Sequence, residues 1–146
     1  MDAFDAYQTQ KIMSASPLEL VEMLYRGAVG AVQAARRHLV RHEIRERSDK
    51  LSKVVAILSE LSSTLNHEQG GEVSRNLAEL YDYIQRLVID GNVRQVDGPL
   101  QEAERLLETL LRGWSEMRAQ AETTVIRPVT GYAESFSERE PISVSY

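Results

Sequence analysis

The sequence contains no cysteine, which excludes a disulfide framework and a metal site built on thiolates. Its longest strongly apolar run, residues 54–58, is far too short to cross a membrane. The first residues, Met-Asp-Ala-Phe-Asp, are acidic where a secretory signal needs positive charge before an apolar run. We therefore expect a cytoplasmic protein that does not insert into a membrane.

Glycine and proline are scarce, with 8 and 4 residues in the chain of 146, and this scarcity favours long helices over many short strands. Hydrophobic residues make up 42% of the chain, enough to bury a core, and the length suits one domain. The formal net charge of -5 argues against non-specific binding to nucleic acid or to an anionic membrane.

Four segments show the hydrophobic period of amphipathic helices. The first begins at Ser16-Pro17-Leu18-Glu19, where Ser16 can cap the helix and proline suits the first helical position. We predict helices over about 17–43, 48–66, 72–90 and 98–121. Four long helices joined by short links predict an all-α fold, an antiparallel four-helix bundle.

The segments around these helices have their own predictions. Gly70-Gly71 is expected to break the chain after the second helix, and Gly91-Asn92 to end the third. Small residues in the middle of the first helix predict close approach of a neighbouring backbone; they are Gly27, Ala28, Gly30, Ala31, Ala34 and Ala35. The bundle domain is predicted over 1–121, including an arm at 1–15. Residues 122–146 are predicted to be a mostly flexible tail, with a short extra helix as the alternative.

The histidines do not indicate a catalytic or metal site. His38 and His42 lie one helical turn apart, but neighbouring arginines repel a cation, so we interpret both as surface residues. His67 lacks the lysine that would stabilise a phosphoryl group, and no phosphate-binding glycine loop is present. No nucleophile has an evident base and orienting partner. We therefore predict neither an enzyme nor a cofactor.

The only basic run contains five arginines between positions 36 and 47, and Glu43 and Glu46 partly offset their charge. We interpret this run as a solvated helix face rather than a nucleic-acid site. A docking site for an acidic protein surface remains open.

Several motifs then occur in a specific order. Ala6-Tyr7-Gln8 precedes the stretch 14–28, in which Ser-Pro is followed by Met-Leu-Tyr-Arg-Gly-Ala. Gly70-Gly71-Glu72 precedes Leu80-Tyr81-Asp82-Tyr83. Further along the chain come Gly91-Asn92, Asp97 and Trp114. Over about residues 6–118, this series resembles the flagellar secretion chaperone family, FliS. Arg26, Gly91 and the long tail depart from the family's pattern.

The resemblance implies a helical bundle that binds the disordered C-terminal segment of flagellin. Such a chaperone prevents premature polymerisation and hands flagellin to the flagellar type III export apparatus. The alternatives are a helical adaptor for another flagellar protein and, with less support, a phosphotransfer or metal-binding bundle. A homodimer is also left open.

We expect the partner to occupy an apolar groove. The candidate contact residues in the arm and the groove are Tyr7, Ile12, Met13, Leu24, Tyr25, Asn76, Tyr81, Tyr83 and Ile84. The arm residues either cover the groove until flagellin displaces them or cap the bundle permanently. Tyr25 and Tyr81 also fit the core by position, and Tyr83 lies off the main apolar stripe, where it is better placed for a contact.

Overall fold

The computed structural model describes residues 15–126, with side chains through residue 122, and this part of the chain forms four α-helices. Helix α1 spans Pro17–Val40, α2 Ile44–Ser63, α3 His67–Arg94 and α4 Asp97–Ile126. The predicted all-α bundle is confirmed for these residues. The arm up to residue 14 and the tail from residue 127 lie outside the described residues.

Polar contacts between the helices show that neighbours run antiparallel. Along α1 and α4, the Trp114 indole donates to the Leu18 carbonyl at one end of the bundle, and Arg36 pairs with Glu104 at the other. Along α2 and α3, Arg47 bonds Asn92, whereas Gln85 donates to the Val55 carbonyl. Residue numbers rise along one helix as they fall along its neighbour. Three short links are enough to connect helices in this order.

One apolar stripe from each helix forms the core. The largest fully buried side chains are Tyr25, Tyr81, Leu51, Leu58, Leu61, Ile84, Leu100 and Leu107. Within each helix they recur at spacings of three and seven residues, which place them on one side of the helix, as the hydrophobic pattern predicts. Because the stripes meet in a single core cluster, the hydrophobic effect stabilises the bundle as one unit.

The small residues of α1 serve close packing only on the side that faces the bundle. Ala28 and Ala35 are completely buried, and a Cβ atom added at Gly27 would lie 3.4 Å from the Ile57 side chain of α2. Gly30 is exposed, and nothing lies within 4 Å of the corresponding position. The predicted close approach therefore rests on Gly27 and the alanines, and Gly30 takes no part in it.

The start of α1 agrees with its sequence signal, and the start of α2 does not. Ser16 caps α1 by accepting a hydrogen bond from the Glu19 amide at 3.2 Å. Helix α2 begins at Ile44, four residues before the predicted Ser48, and Glu43 makes no side-chain capping bond. The Ser48 hydroxyl donates to Asn92 of α3 instead. Tertiary packing, rather than a local cap, sets the first turn of α2.

The prediction that Gly91-Asn92 ends the third helix is wrong. Helix α3 continues to Arg94, and Gln95 adopts the left-handed conformation that ends it. Gly91 is helical and buried because Leu100 packs against it; an added Cβ atom would lie 2.7 Å from Leu100 Cδ2. The Asn92 side chain does not cap a helix but accepts from Arg47 Nε at 2.8 Å. Both residues that indicated a helix end are used for contacts between helices.

At the other end of α3, the glycine pair produces a kink rather than a full break. The Asn66 side chain caps a first turn by accepting from the Gln69 amide at 3.1 Å. Gly71 then leaves helical geometry, with φ 51° and ψ -121°, before the helix resumes. The buried Ser74 hydroxyl donates to the Asn66 carbonyl at 3.0 Å and ties the two parts together. Only glycine adopts this backbone conformation without strain.

The kink gives a test of backbone strain. We expect Gly71→Ala to lower the free energy of unfolding by about 1–3 kcal/mol, because an L-residue is strained at this φ and ψ. Gly30→Ala is the matched control, since its site has equally open space but lies within regular helix. It should raise the free energy of unfolding by up to about 1 kcal/mol. Urea denaturation measures both; equal effects would contradict the assignment of strain to Gly71.

Candidate functional site: an aromatic centre and the outer face of helix α3

Two tyrosines meet across the centre of the bundle. Tyr25 of α1 and Tyr81 of α3 are 1% and 0% exposed, and their hydroxyl groups share a short hydrogen bond. Either hydroxyl can act as the donor. Since α1 and α3 lie diagonally opposite each other, this bond crosses the core instead of joining neighbouring helices. A buried hydroxyl needs such a partner, so the bond fixes how far each helix is shifted along the other.

Trp114 of α4 completes this aromatic centre. Its ring lies 6.2 Å from that of Tyr25 at an interplanar angle of 62°, an edge-to-face arrangement. The Tyr25 and Tyr81 rings are 6.4 Å apart and tilted by 51°. The Trp114 indole donates to the Leu18 carbonyl at 3.0 Å, which holds the first turn of α1 against α4. Three helices thus contribute one ring each to a single buried cluster.

A carboxylate beside the aromatic centre joins helices α1 and α4. Glu22 is 9% exposed and accepts hydrogen bonds from Arg26 at 2.9 Å, from Ser115 at 2.8 Å and from Arg118. Arg118 also pairs with Glu122 at 3.1 Å. A nearly buried carboxylate with three donors is well compensated, so this network holds the start of α1 to the end of α4.

Burial also changes the acidity of the two tyrosines. It raises the pKa of Tyr25 to about 12, although the hydrogen bond from Tyr81 acts in the opposite direction. Burial likewise raises the pKa of Tyr81, and the nearby Tyr25 raises it further. Both hydroxyls therefore remain protonated in the folded protein under physiological conditions.

Next to this buried centre, α3 presents a partly apolar surface along α4. Tyr83 is 44% exposed, and its hydroxyl donates to Glu102 of α4 at 2.7 Å. This hydrogen bond raises the pKa of the Tyr83 hydroxyl. Partly buried leucines follow the same sides of the two helices at helical spacing; they are Leu80, Leu87, Leu106 and Leu110. We call Tyr83 and these four leucines the α3/α4 face.

The structure distributes the predicted contact residues over three places. Tyr25, Tyr81 and Ile84 are fully buried in the core. Asn76 and Tyr83 are exposed on α3. Leu24 is partly buried, and the helical period places it on the side of α1 that packs against α2. Leu24 is thus separated from the α3/α4 face.

The arm residues Tyr7, Ile12 and Met13 lie outside the described residues, so their place relative to the groove remains a prediction. Two of the ordered sequence motifs do meet in the structure: the Met-Leu-Tyr stretch of α1 contacts the Leu-Tyr-Asp-Tyr stretch of α3 through the Tyr25–Tyr81 bond.

Sequence reasoning missed Glu22, Ser115 and Arg118 as parts of this region. Each one, taken alone, is a polar residue on an amphipathic helix, and nothing in the local pattern distinguishes it from a solvated residue. The available signal was position: Glu22 lies three residues before Tyr25, on the same side of α1, and Ser115 follows Trp114. Recognising the network requires knowing that α1 and α4 are antiparallel neighbours.

Within residues 15–126, no group of three His, Asp or Glu side chains is arranged to hold a metal ion. The four helices that the structure describes include none with a stretch long and apolar enough to cross a membrane.

The fold and its aromatic centre define the class: an antiparallel four-helix bundle with a partly apolar outer face. Residues 1–121 match the family model of the flagellar protein FliS. The chain is 37% identical over 111 residues to the flagellar secretion chaperone FliS of Salmonella typhimurium, covering 75% of this chain and 82% of that protein. It is 28% identical over 113 residues to the FliS of Bacillus subtilis, covering 77% and 84%.

A third relative, the flagellar secretion chaperone FliSB of Pseudomonas aeruginosa, is 29% identical over 118 residues, which cover 78% of this chain and 94% of the relative. The chain belongs to the FliS family of flagellar secretion chaperones. The resemblance seen in the ordered motifs of the sequence is confirmed.

The ionisation of the tyrosine pair is expected to lower the free energy of unfolding at alkaline pH. In the unfolded chain both tyrosines ionise near pH 10, whereas in the folded protein their pKa values are higher. Their contribution is therefore complete below pH 10 and is lost as the pH rises towards the folded value of about 12 for Tyr25. Urea denaturation from about pH 8 to pH 11 should show a falling free energy of unfolding.

The double variant Tyr25→Phe/Tyr81→Phe is the control for this dependence. It keeps both rings but removes both ionisable groups, so we expect a shallower decline above pH 10 than in the natural chain. Parallel curves for the two proteins would show that other groups cause the alkaline loss.

Proposed function

We propose that this protein binds the disordered C-terminal segment of flagellin in the cytoplasm, prevents its premature polymerisation and delivers it to the flagellar export apparatus. Membership of the FliS family is the single observation that carries this proposal. The relatives are secretion chaperones by name, and a secretion chaperone needs a client and an exporter to receive it.

The α3/α4 face is the part of the described surface that best suits such a client. An amphipathic segment buries apolar groups when it lies in a groove between helices, at roughly 25 cal/mol per Å² of apolar surface. Tyr83 offers both an apolar ring and a hydroxyl that is already engaged with Glu102. Aromatic residues of this kind commonly dominate binding energy because they bury a large area with few rotatable bonds.

The buried aromatic centre has a different part in the proposal. Tyr25 and Tyr81 are completely enclosed, so a client reaches them only if the bundle rearranges locally. We assign them to support of the face from beneath, and Asn76 and Tyr83 to contact with the client. Leu24, on the opposite side, contacts the client only if the bound segment wraps around the bundle.

Direct binding separates the chaperone from an adaptor for another flagellar protein. The full chain is titrated with a synthetic peptide of the C-terminal segment of its own organism's flagellin. Trp114 is the one tryptophan in the chain, so its fluorescence reports changes beside Tyr25. A stoichiometric complex with increased helical circular dichroism supports the chaperone. Absence of binding at micromolar concentrations contradicts it and favours the adaptor.

The contact assigned to Tyr83 is tested with a matched pair of variants. We expect Tyr83→Ala to weaken flagellin-peptide binding by about tenfold, because an exposed aromatic anchor is lost without opening the core. Ile89→Ala, which removes a comparably exposed apolar side chain from another side of α3, should change the affinity less than about twofold. Isothermal titration calorimetry gives both dissociation constants. Equal losses would remove the α3/α4 face from the proposal.

Deletion of residues 1–15 decides between the two interpretations of the arm. If the arm competes with flagellin, the deleted protein binds the peptide more tightly. The apparent dissociation constant falls because the arm no longer covers the site in a fraction of the molecules. If the arm forms part of the site, the deleted protein binds more weakly. Ser16 remains in this variant, so the cap of α1 is kept. An unchanged affinity is the result expected of an arm that only caps the bundle permanently.

A further inference from the structure

The turn between α1 and α2 carries an unusual concentration of charge. Residues 36–47 contain five arginines and two glutamates, a formal charge of +3, whereas the rest of the chain sums to -8. The turn lies at the end of the bundle away from Trp114 and Glu22, because α1 runs from that network towards Val40. A basic surface therefore stands at one end of an otherwise acidic molecule.

Part of this charge is already used within the fold. Arg36 pairs with Asp97 at 2.7 Å and with Glu104 at 3.2 Å. The hydrogen bond from Arg36 to Asp97 holds the pKa of the Asp97 carboxyl below its usual range. Arg47 is 3% exposed and donates to Asn92. These two arginines hold the helices together and do not face a partner.

The other three arginines are exposed and not used in this way. Arg37, Arg41 and Arg45 lie on the surface, and none forms an ion pair with any residue between 15 and 122. Two aliphatic side chains accompany them: Val40 is 77% exposed and Ile44 is 56% exposed. We call these five residues the basic corner. All five lie within nine consecutive positions.

Exposed aliphatic groups and uncompensated arginines together define the chemistry of a ligand. Covering an exposed aliphatic side chain with another apolar group is favourable because it removes apolar surface from water. The arginines select a partner that carries carboxylates. We propose that the basic corner docks a short acidic segment of another protein, with aliphatic side chains placed between its carboxylates. This surface is distinct from the α3/α4 face, and the inference does not depend on flagellin being the client.

An extended anionic surface fits the basic corner less well. A membrane or a duplex of nucleic acid would bring negative charge near the rest of the chain, whose formal charge is -8. Glu46 is also exposed beside Arg45 and would repel a continuous array of phosphates. A short segment meets only the corner and places its carboxylates where the arginines are.

The test uses three synthetic fluorescent peptides of equal length. The first carries leucines flanked by glutamates on one helical face, the second has glutamine in place of glutamate, and the third has serine in place of leucine. We expect the full chain to bind the first peptide at submillimolar concentration and each of the others about tenfold more weakly, with binding to the first weakening as salt is added. Fluorescence anisotropy measures all three affinities.

Two triple variants locate the site. The variant Arg37→Ala/Arg41→Ala/Arg45→Ala should lose at least about tenfold in affinity for the acidic peptide. The control Arg75→Ala/Arg105→Ala/Arg112→Ala removes the same charge from exposed positions on α3 and α4. It should lose less than about threefold, through long-range attraction alone. All six side chains are exposed, and circular dichroism verifies that both variants fold.

Several results would overturn the proposal. No binding of the acidic peptide, equal loss in the two triple variants, or undiminished binding of the glutamine peptide would each do so. Tighter binding to phosphatidylglycerol vesicles or to duplex DNA would assign the corner to a different class of partner. Tighter binding of a peptide of residues 130–146 would assign it to the chain's own C-terminal segment, which contains three glutamates.

Discussion

The hydrogen bond between Tyr25 and Tyr81 is the constraint on which the rest of this bundle depends. Apolar stripes alone allow helices to slide by a turn with little loss of buried surface, but a buried hydroxyl loses its partner if they do. The bond joins the two diagonal helices, and Trp114 packs on the same ring of Tyr25. With this centre fixed, the ion pairs at each end of α1 fall into register with α4.

The sequence predicted the fold class and most of the core because both follow from hydrophobic period and from cap chemistry. Ser16 caps α1 as its local pattern indicates. Helix ends set by tertiary contacts were out of reach: Gly91 looks like a terminator but makes room for Leu100, and Asn92 looks like a cap but accepts from Arg47. Local rules describe what a residue favours, whereas these residues satisfy neighbours that are far away in sequence.

The candidate site, like the fold, could be predicted only in part from the sequence. The ordered motifs identified the family, and Tyr83, which the sequence places off the apolar stripe, is exposed on α3. What the pattern could not supply was the division of the other candidates between core and surface. Leu24 and Tyr25 are adjacent in sequence, yet only Tyr25 points to the bundle centre. That difference depends on which helix packs against which side of α1.

The buried Arg47 has a consequence for how this sequence can change. Its guanidinium donates to the side chain and to the backbone carbonyl of Asn92, and among residues 15–122 it forms no ion pair with a carboxylate. A leucine at position 47 alone would leave the Asn92 amide without that donor, and an apolar residue at position 92 alone would leave a buried cation poorly solvated. Positions 47 and 92 should therefore vary together during evolution, so that a lineage that loses one polar partner soon replaces the other.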